Sequence, residues 1–226
     1  MTSRRWFAFA KSTPATTSAV LRALSRATRG RRLLEIGPGD GRFLAAARKA
    51  GFECLGVDVS EALAATARER SGAEVLVGQL PQLGLPRGSF DIVNIEQVLE
   101  YVENPVAMLT EVAALLAPGG VCRIREYDAD SLSARRAGSR YWLFCPTVLT
   151  IWSRRSIQML AQQSGLQVAK THHGTEASFS DWLHTVRKRT FVELLTCSAR
   201  AMLRKAHFFG LAVGADTVFY LRARAA

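Results

Sequence analysis

The sequence predicts an α/β fold: an open, mostly parallel sheet of seven strands with helices on both faces. Three observations carry this. Between residues 31 and 127, short apolar segments alternate with helical segments of about 10 residues. One segment, Phe90–Ile95, is a near-continuous apolar run, as expected of a strand buried on both sides. And the stretch Leu33-Leu34-Glu35-Ile36-Gly37-Pro38-Gly39-Asp40-Gly41 drives an apolar strand into a glycine turn that opens a helix.

In chain order, residues 1–14 read as an arm and 15–29 as a leading helix with Val20, Leu21 and Leu24 on one face. The first strand covers about 32–36. A helix follows over about 41–50 and ends at Gly51, a C-cap signal. The second strand, Glu53 to Val57, runs into Asp58, and Ser60 is placed to cap a helix over about 61–70. The third strand is 73–77. Pro81, Pro86 and Gly88 mark a loop before the fourth strand at 90–95. A helical turn at 96–101 precedes a helix over 106–116 that starts behind Pro105. Pro118-Gly119-Gly120 stops that helix, and the fifth strand is 121–127. After Asp128 the pattern loosens. A helix over about 155–164, capped by Ser153, leads to a sixth strand at 166–172. A basic helix spans about 182–207, and 216–221 is the last strand.

Composition bounds the class. At 226 residues the chain suits one domain: an arm and helix at 1–30, a ligand-binding core at 31–127, and insertions at 128–152 and 174–212 that form a small helical cap. No apolar run reaches the about 18 residues of a membrane span. Cys54, Cys122, Cys145 and Cys197 are dispersed, which argues against a zinc site or a disulfide framework and fits a reducing, cytoplasmic setting. The formal net charge is +11, and the first 32 residues carry no acid. That balance favours anionic partners, or else is a solvated arginine-rich surface. An acid-free, Arg/Ser/Thr-rich start also has the composition of a transit peptide, but the helix just ahead of the first strand argues for a structural segment.

The glycine turn narrows the ligand. Its spacing, Gly37, Gly39 and Gly41, is not the dinucleotide fingerprint, which would place a third glycine where Arg42 stands. Glu35 beside that turn would repel a pyrophosphate and suits a cationic ligand without phosphate. The other reading of Glu35 is a structural acid that holds the turn's amides. Glu35, Asp58 and Glu96 all fall at carboxyl ends of strands, where ligands of open parallel sheets bind.

These residues together resemble the class I S-adenosylmethionine-dependent methyltransferases, well over 31–127 and loosely over 153–173 and 213–224. Leu33 to Gly41 resembles the turn that passes under the cofactor. Leu55-Gly56-Val57-Asp58-Val59-Ser60 resembles the second strand, whose acid binds the ribose hydroxyls, and Gly78-Gln79-Leu80-Pro81 the loop that borders the adenine. Val98-Leu99-Glu100-Tyr101-Val102, Asn104-Pro105 and Leu116-Ala117-Pro118-Gly119-Gly120 resemble the run from the fourth strand to the fifth. The resemblance implies a Rossmann-like sheet, S-adenosyl-L-methionine as cofactor, and a binding set of Glu35, Gly37, Pro38, Gly39, Gly41, Asp58, Val59, Gln79, Leu80 and Glu96.

It implies methyl transfer to a small or lipid-like metabolite and no metal. The alternatives are an RNA or protein methyltransferase, or a cofactor-binding module without catalysis. The segment Asn94-Ile95-Glu96-Gln97 lacks the signature of amino-group nucleic-acid methylation, so nucleic acid is not the expected partner. Many relatives carry histidine where Tyr101 stands. The catalytic candidates are therefore Tyr101, to orient the acceptor or pack, and His172, as a base from the sixth strand. Tyr141, Trp142, Phe144 and Trp152 are candidates for an apolar acceptor pocket. The basic helix at 187–205 is a candidate for contact with an anionic membrane surface, either role competing with core packing or a solvated face.

Overall fold

The computed structural model describes residues 14–141, 143–173 and 216–224. The arm at 1–13, Trp142, the loop at 174–182 and the basic helix expected at 182–207 lie outside the described residues. A helix α1 (Pro14–Ala27) is followed by β1 (Arg32–Ile36), α2 (Arg42–Lys49), β2 (Glu53–Asp58), α3 (Glu61–Ser71) and β3 (Glu74–Val77). Then come β4 (Phe90–Glu96), α4 (Pro105–Leu115), β5 (Leu116–Tyr127), α5 (Leu132–Ala137), α6 (Arg154–Gln163), β6 (Leu166–His173) and β7 (Asp216–Ala223). One sheet of seven strands has the order β3-β2-β1-β4-β5-β7-β6. The first five are parallel, and β7 runs antiparallel to both β5 and β6.

The strands bury both faces, as their alternation requires. On one face Leu34, Ile36, Val93, Ile95, Cys122 and Ile124 pack against Leu109 and Val112 of α4 and Ile157 and Leu160 of α6. On the other, Leu33, Ile92, Val121 and Val218 pack against Leu24 of α1, Leu44 of α2 and Ala67 of α3. The caps expected at Ser60 and Ser153 form: Ser60 accepts from the Leu63 amide, and Ser153 makes a capping box with Ser156; Asn104 adds a third by accepting from Ala107.

Three features differ from the sequence expectation. Helix α4 stops at Leu115, and β5 begins at once, five residues before the expected Val121. The Pro-Gly-Gly segment is absorbed as an irregularity in the β4–β5 pairing: Phe90 pairs Leu116, whereas Ile92 pairs Val121. The turn after β4 is shorter than expected: Glu96 still belongs to the strand, and only Leu99–Tyr101 form a 3-10 turn. The loosely patterned stretch after β5 contains the short helix α5, capped by Ser131.

Candidate functional site

Strands β2 and β3 lie on one side of β1, and β4 and β5 on the other. The switch in winding therefore falls between β1 and β4, where a crevice opens at the carboxyl ends. The turn leaving β1 builds its floor. Gly37 has φ +68°, and a Cβ there would come within 2.5 Å of Val98 Cγ2. Its amide donates to the Val57 carbonyl at 2.8 Å, which ties the turn to β2. Gly41 caps α2 with φ +75°, and a Cβ on it would meet the backbone of Ala67 at 2.7–2.8 Å. The turn thus excludes a side chain at Gly37 and at Gly41.

The three carboxylates share one sheet face. Glu35 pairs laterally with Gly56 on β2 and Asn94 on β4, and Asp58 and Glu96 lie two residues further along those strands. Their environments differ. Asp58 is buried at the tip of β2, and its Oδ1 accepts from the Ser60 amide at 2.9 Å. Glu35 is 4% exposed; its Oε1 accepts from Asn94 Nδ2 at 3.2 Å, and its buried Oε2 has no partner. Burial first, and the nearby charge of Glu96 second, push its carboxyl up to about 8, against the pull of Asn94, Arg123 and the Leu44 amide. Glu96 accepts from Arg123 at 3.1 Å and also pairs with Arg125, which in turn holds Asp216. Arg123, 1% exposed, also donates to Asn94 Oδ1 at 2.8 Å. A polar ladder therefore runs across the sheet from Glu35 through Asn94, Arg123, Glu96 and Arg125 to Asp216.

Val59 is 71% exposed beside Asp58. Gln79 is exposed after β3, while Leu80 opens a 3-10 turn (Leu80–Gln82) and is buried in the core. Pro38 is buried and Gly39 has open space around it.

Beyond β4 the chain turns through Gln97, which has φ +56°, an uncommon conformation for a residue with a side chain, and whose buried Nε2 has no partner. Glu126 on β5 holds the turn by accepting from the Val98 and Leu99 amides at 3.2 and 3.1 Å. Burial and its hydrogen bond to Glu100 keep the Glu126 carboxyl well above the usual range. Tyr101 ends the turn 53% exposed, and burial of its ring, with Glu100 and Cys145 nearby, raises its pKa rather than lowering it. His172 shares the sheet face of Glu96 through the register His172–Val218–Arg125–Glu96. It stands three strand spacings away, on the order of 14 Å, and meets the Tyr220 ring edge-on at 5.9 Å between centroids.

The segment after β5 folds back over this edge. Leu149 donates its amide to the Glu100 carbonyl at 2.8 Å. Between α5 and that segment lies a cavity of about 510 Å³ walled by Ala134, Tyr141, Phe144 and Ile151, with Arg135 the one charged side chain among the described residues lining it. Trp152 is buried in the main core instead. No group of three or more metal-ligating side chains occurs among the described residues.

Sequence reasoning missed Asn94, Gln97, Arg123, Arg125 and Glu126. Arginines at alternate positions inside an otherwise apolar strand were the available signal, since both must project from one face.

A glycine turn and three strand-end carboxyl groups gathered at the winding switch define the ligand crevice of an open α/β sheet. A methyltransferase-domain family model matches residues 9–171, most of the chain. The chain belongs to that methyltransferase family, whose cofactor is S-adenosylmethionine. It is 36% identical over 97 residues to a ubiquinone biosynthesis O-methyltransferase of Methylococcus capsulatus, covering 40% of this chain and 41% of that protein. The chain thus matches less than half the length of that relative. Among solved structures it resembles an S-adenosylmethionine-dependent methyltransferase from Mesorhizobium loti, with a TM-score of 0.66 and 20% identity over 92% of this chain and 98% of that one. It also resembles magnesium protoporphyrin IX methyltransferase from Synechocystis with bound SAH, with a TM-score of 0.61 and 16% identity over 93% and 82%. At such identities the two structures bear on the fold alone.

The residues present fit the cofactor. Glu35 offers a buried carboxyl oxygen without a partner, and the glycine turn is open at Gly39, where nothing lies within 4 Å of a Cβ position. The cofactor brings a sulfonium, an amino group and a ribose diol, all served by carboxylates and backbone.

Proposed function

We propose that the chain transfers a methyl group from S-adenosylmethionine to a small or lipid-like metabolite. In this reading Asp58 accepts hydrogen bonds from the ribose diol. Gly37, Pro38, Gly39 and Gly41 let backbone lie against the cofactor, and Val59, Gln79 and Leu80 border its base. Glu35 supports the turn from beneath, and Glu96 acts from within its arginine pairs.

The observation that carries the acceptor class is the apolar cavity of about 510 Å³ behind β5. Its size and aromatic walls suit a small apolar acceptor. Several properties favour an acceptor aligned and shielded from water rather than deprotonated by a histidine. Tyr101 has its pKa raised, so it orients rather than abstracts. The name of the Methylococcus capsulatus relative supports an oxygen as the methylated atom.

The test is incorporation of radiolabelled methyl from the cofactor into a lipid and metabolite extract, run beside total RNA. Label in the extract that falls about tenfold in Phe144→Ala, with cofactor binding intact, is the expected result. Label confined to RNA refutes the reading.

A further inference from the structure

The cavity on the far side of α2 is of a different character. A groove of about 930 Å³ runs between α1 and α2, outside the cofactor crevice. Six cations line it: Arg22 and Arg26 from α1, Arg31 ahead of β1, Arg42 and Lys49 from α2, and Arg70 from α3. Thr17, Ser18 and Ser25 add hydroxyls, and Leu21, Ala45, Ala46 and Ala50 form a short apolar floor. Among the described residues lining it there is no carboxylate.

Asp40 at one end pairs with Arg42 at 2.9 Å and Arg70 at 2.6 Å, offsetting one charge. Arg31 is held in place by neutral groups: it donates to Ser25 Oγ at 3.2 Å and stacks over Phe52 at 4.9 Å. Its position is thus set without its charge being cancelled. Helices α1 and α2 contain no acidic residue, so the excess of positive charge is built into the walls.

Like charges gathered around a concavity raise its potential and concentrate anions there. Guanidinium forks with hydroxyl donors match the geometry of phosphate oxygens. The volume of about 930 Å³ is too large for one phosphate. Among the described residues lining it there is no aromatic ring that would stack bases.

We infer that the α1–α2 groove is a second binding site, for a compact anion that carries two or more phosphate groups, either free or as a lipid headgroup. Arg26, Arg31 and Lys49 hold the phosphates, and the hydroxyls of Ser18 and Ser25 orient them. The site lies apart from the cofactor crevice and shares no lining residue with it.

The experiment is titration calorimetry of the full chain at about 50 mM salt, with inorganic tripolyphosphate in one arm. A second arm uses vesicles of phosphatidylcholine with about one-third of a phosphorylated phosphoinositide. A third uses a short single-stranded RNA. Binding in the first or second arm that weakens at least about tenfold in the Arg26→Gln, Lys49→Gln double variant is expected. The control Arg87→Gln, on the exposed loop before β4, leaves it unchanged, and S-adenosylhomocysteine binding is the same in all variants. Tripolyphosphate source and lipid source are separated by which arm responds. Absence of binding in both, an equal loss in the control, or binding of RNA that tripolyphosphate does not displace overturns the inference.

Discussion

Glu35→Gln tests the ladder at its most sensitive point. The Glu35 carboxyl titrates near 4.5 in an unfolded chain and is pushed up to about 8 in the folded one, chiefly by burial. Between those values the folded state holds one proton more than the unfolded state, so stability falls as pH rises through that window and is fully present below it. At about 1.36 kcal/mol per pH unit, the whole window is worth up to about 5 kcal/mol. Glutamine keeps the shape and cannot ionise. Near pH 5 the variant and the parent therefore differ little, since both carry a neutral side chain beside Asn94. Toward pH 8.5 the variant becomes the more stable by several kcal/mol. Urea unfolding at half-unit pH steps between about 5 and 8.5 measures this directly. The difference between the two proteins isolates Glu35 from Glu126, whose raised carboxyl contributes a slope of the same sign to both. Parallel pH profiles for parent and variant would refute the assignment of a neutral, buried acid under the glycine turn.

Three further outcomes are expected. Asp58→Ala weakens binding of S-adenosylhomocysteine by about 1–3 kcal/mol in calorimetry, the cost of a lost charged acceptor, and an unchanged affinity would place the ribose elsewhere. Gly41→Ala forces a Cβ to 2.7 Å from the Ala67 backbone at φ +75°. It lowers stability by about 2–4 kcal/mol in thermal unfolding, and a loss below about 0.5 kcal/mol would contradict the close approach of α3. Arg123→Ala removes the donor to the buried Asn94 Oδ1 and one guanidinium partner of Glu96, and costs about 3–5 kcal/mol. Arg123→Met, which fills the same space without the charge, loses about as much as the alanine variant if the ion pairs govern the site and clearly less if packing does.

What could be read without coordinates was local in origin. Alternating apolar segments, the Gly37–Gly41 spacing and the caps at Ser60 and Ser153 each depend on residues a few positions apart. The parallel core, the glycine turn and the placing of Asp58 at a strand tip followed from them. Pro118-Gly119-Gly120 misled because glycine and proline stop a helix whether or not a strand begins beside it; pairing with Phe90 decided that β5 starts at Leu116.

Register decided the rest. Nothing near Glu35 in the chain announces that its lateral neighbours are Gly56 and Asn94, or that Arg123 reaches Asn94 and Glu96 from β5. Those contacts span dozens of residues and turn a strand-end acid into a buried carboxyl with an unpartnered oxygen. The insertion of β7 between β5 and β6 likewise set His172 three strands from β4. The amino-acid order determined which groups were present and the period on which they repeat. Only the pairing of distant strands decided which of them share a face, and therefore which charges feel one another.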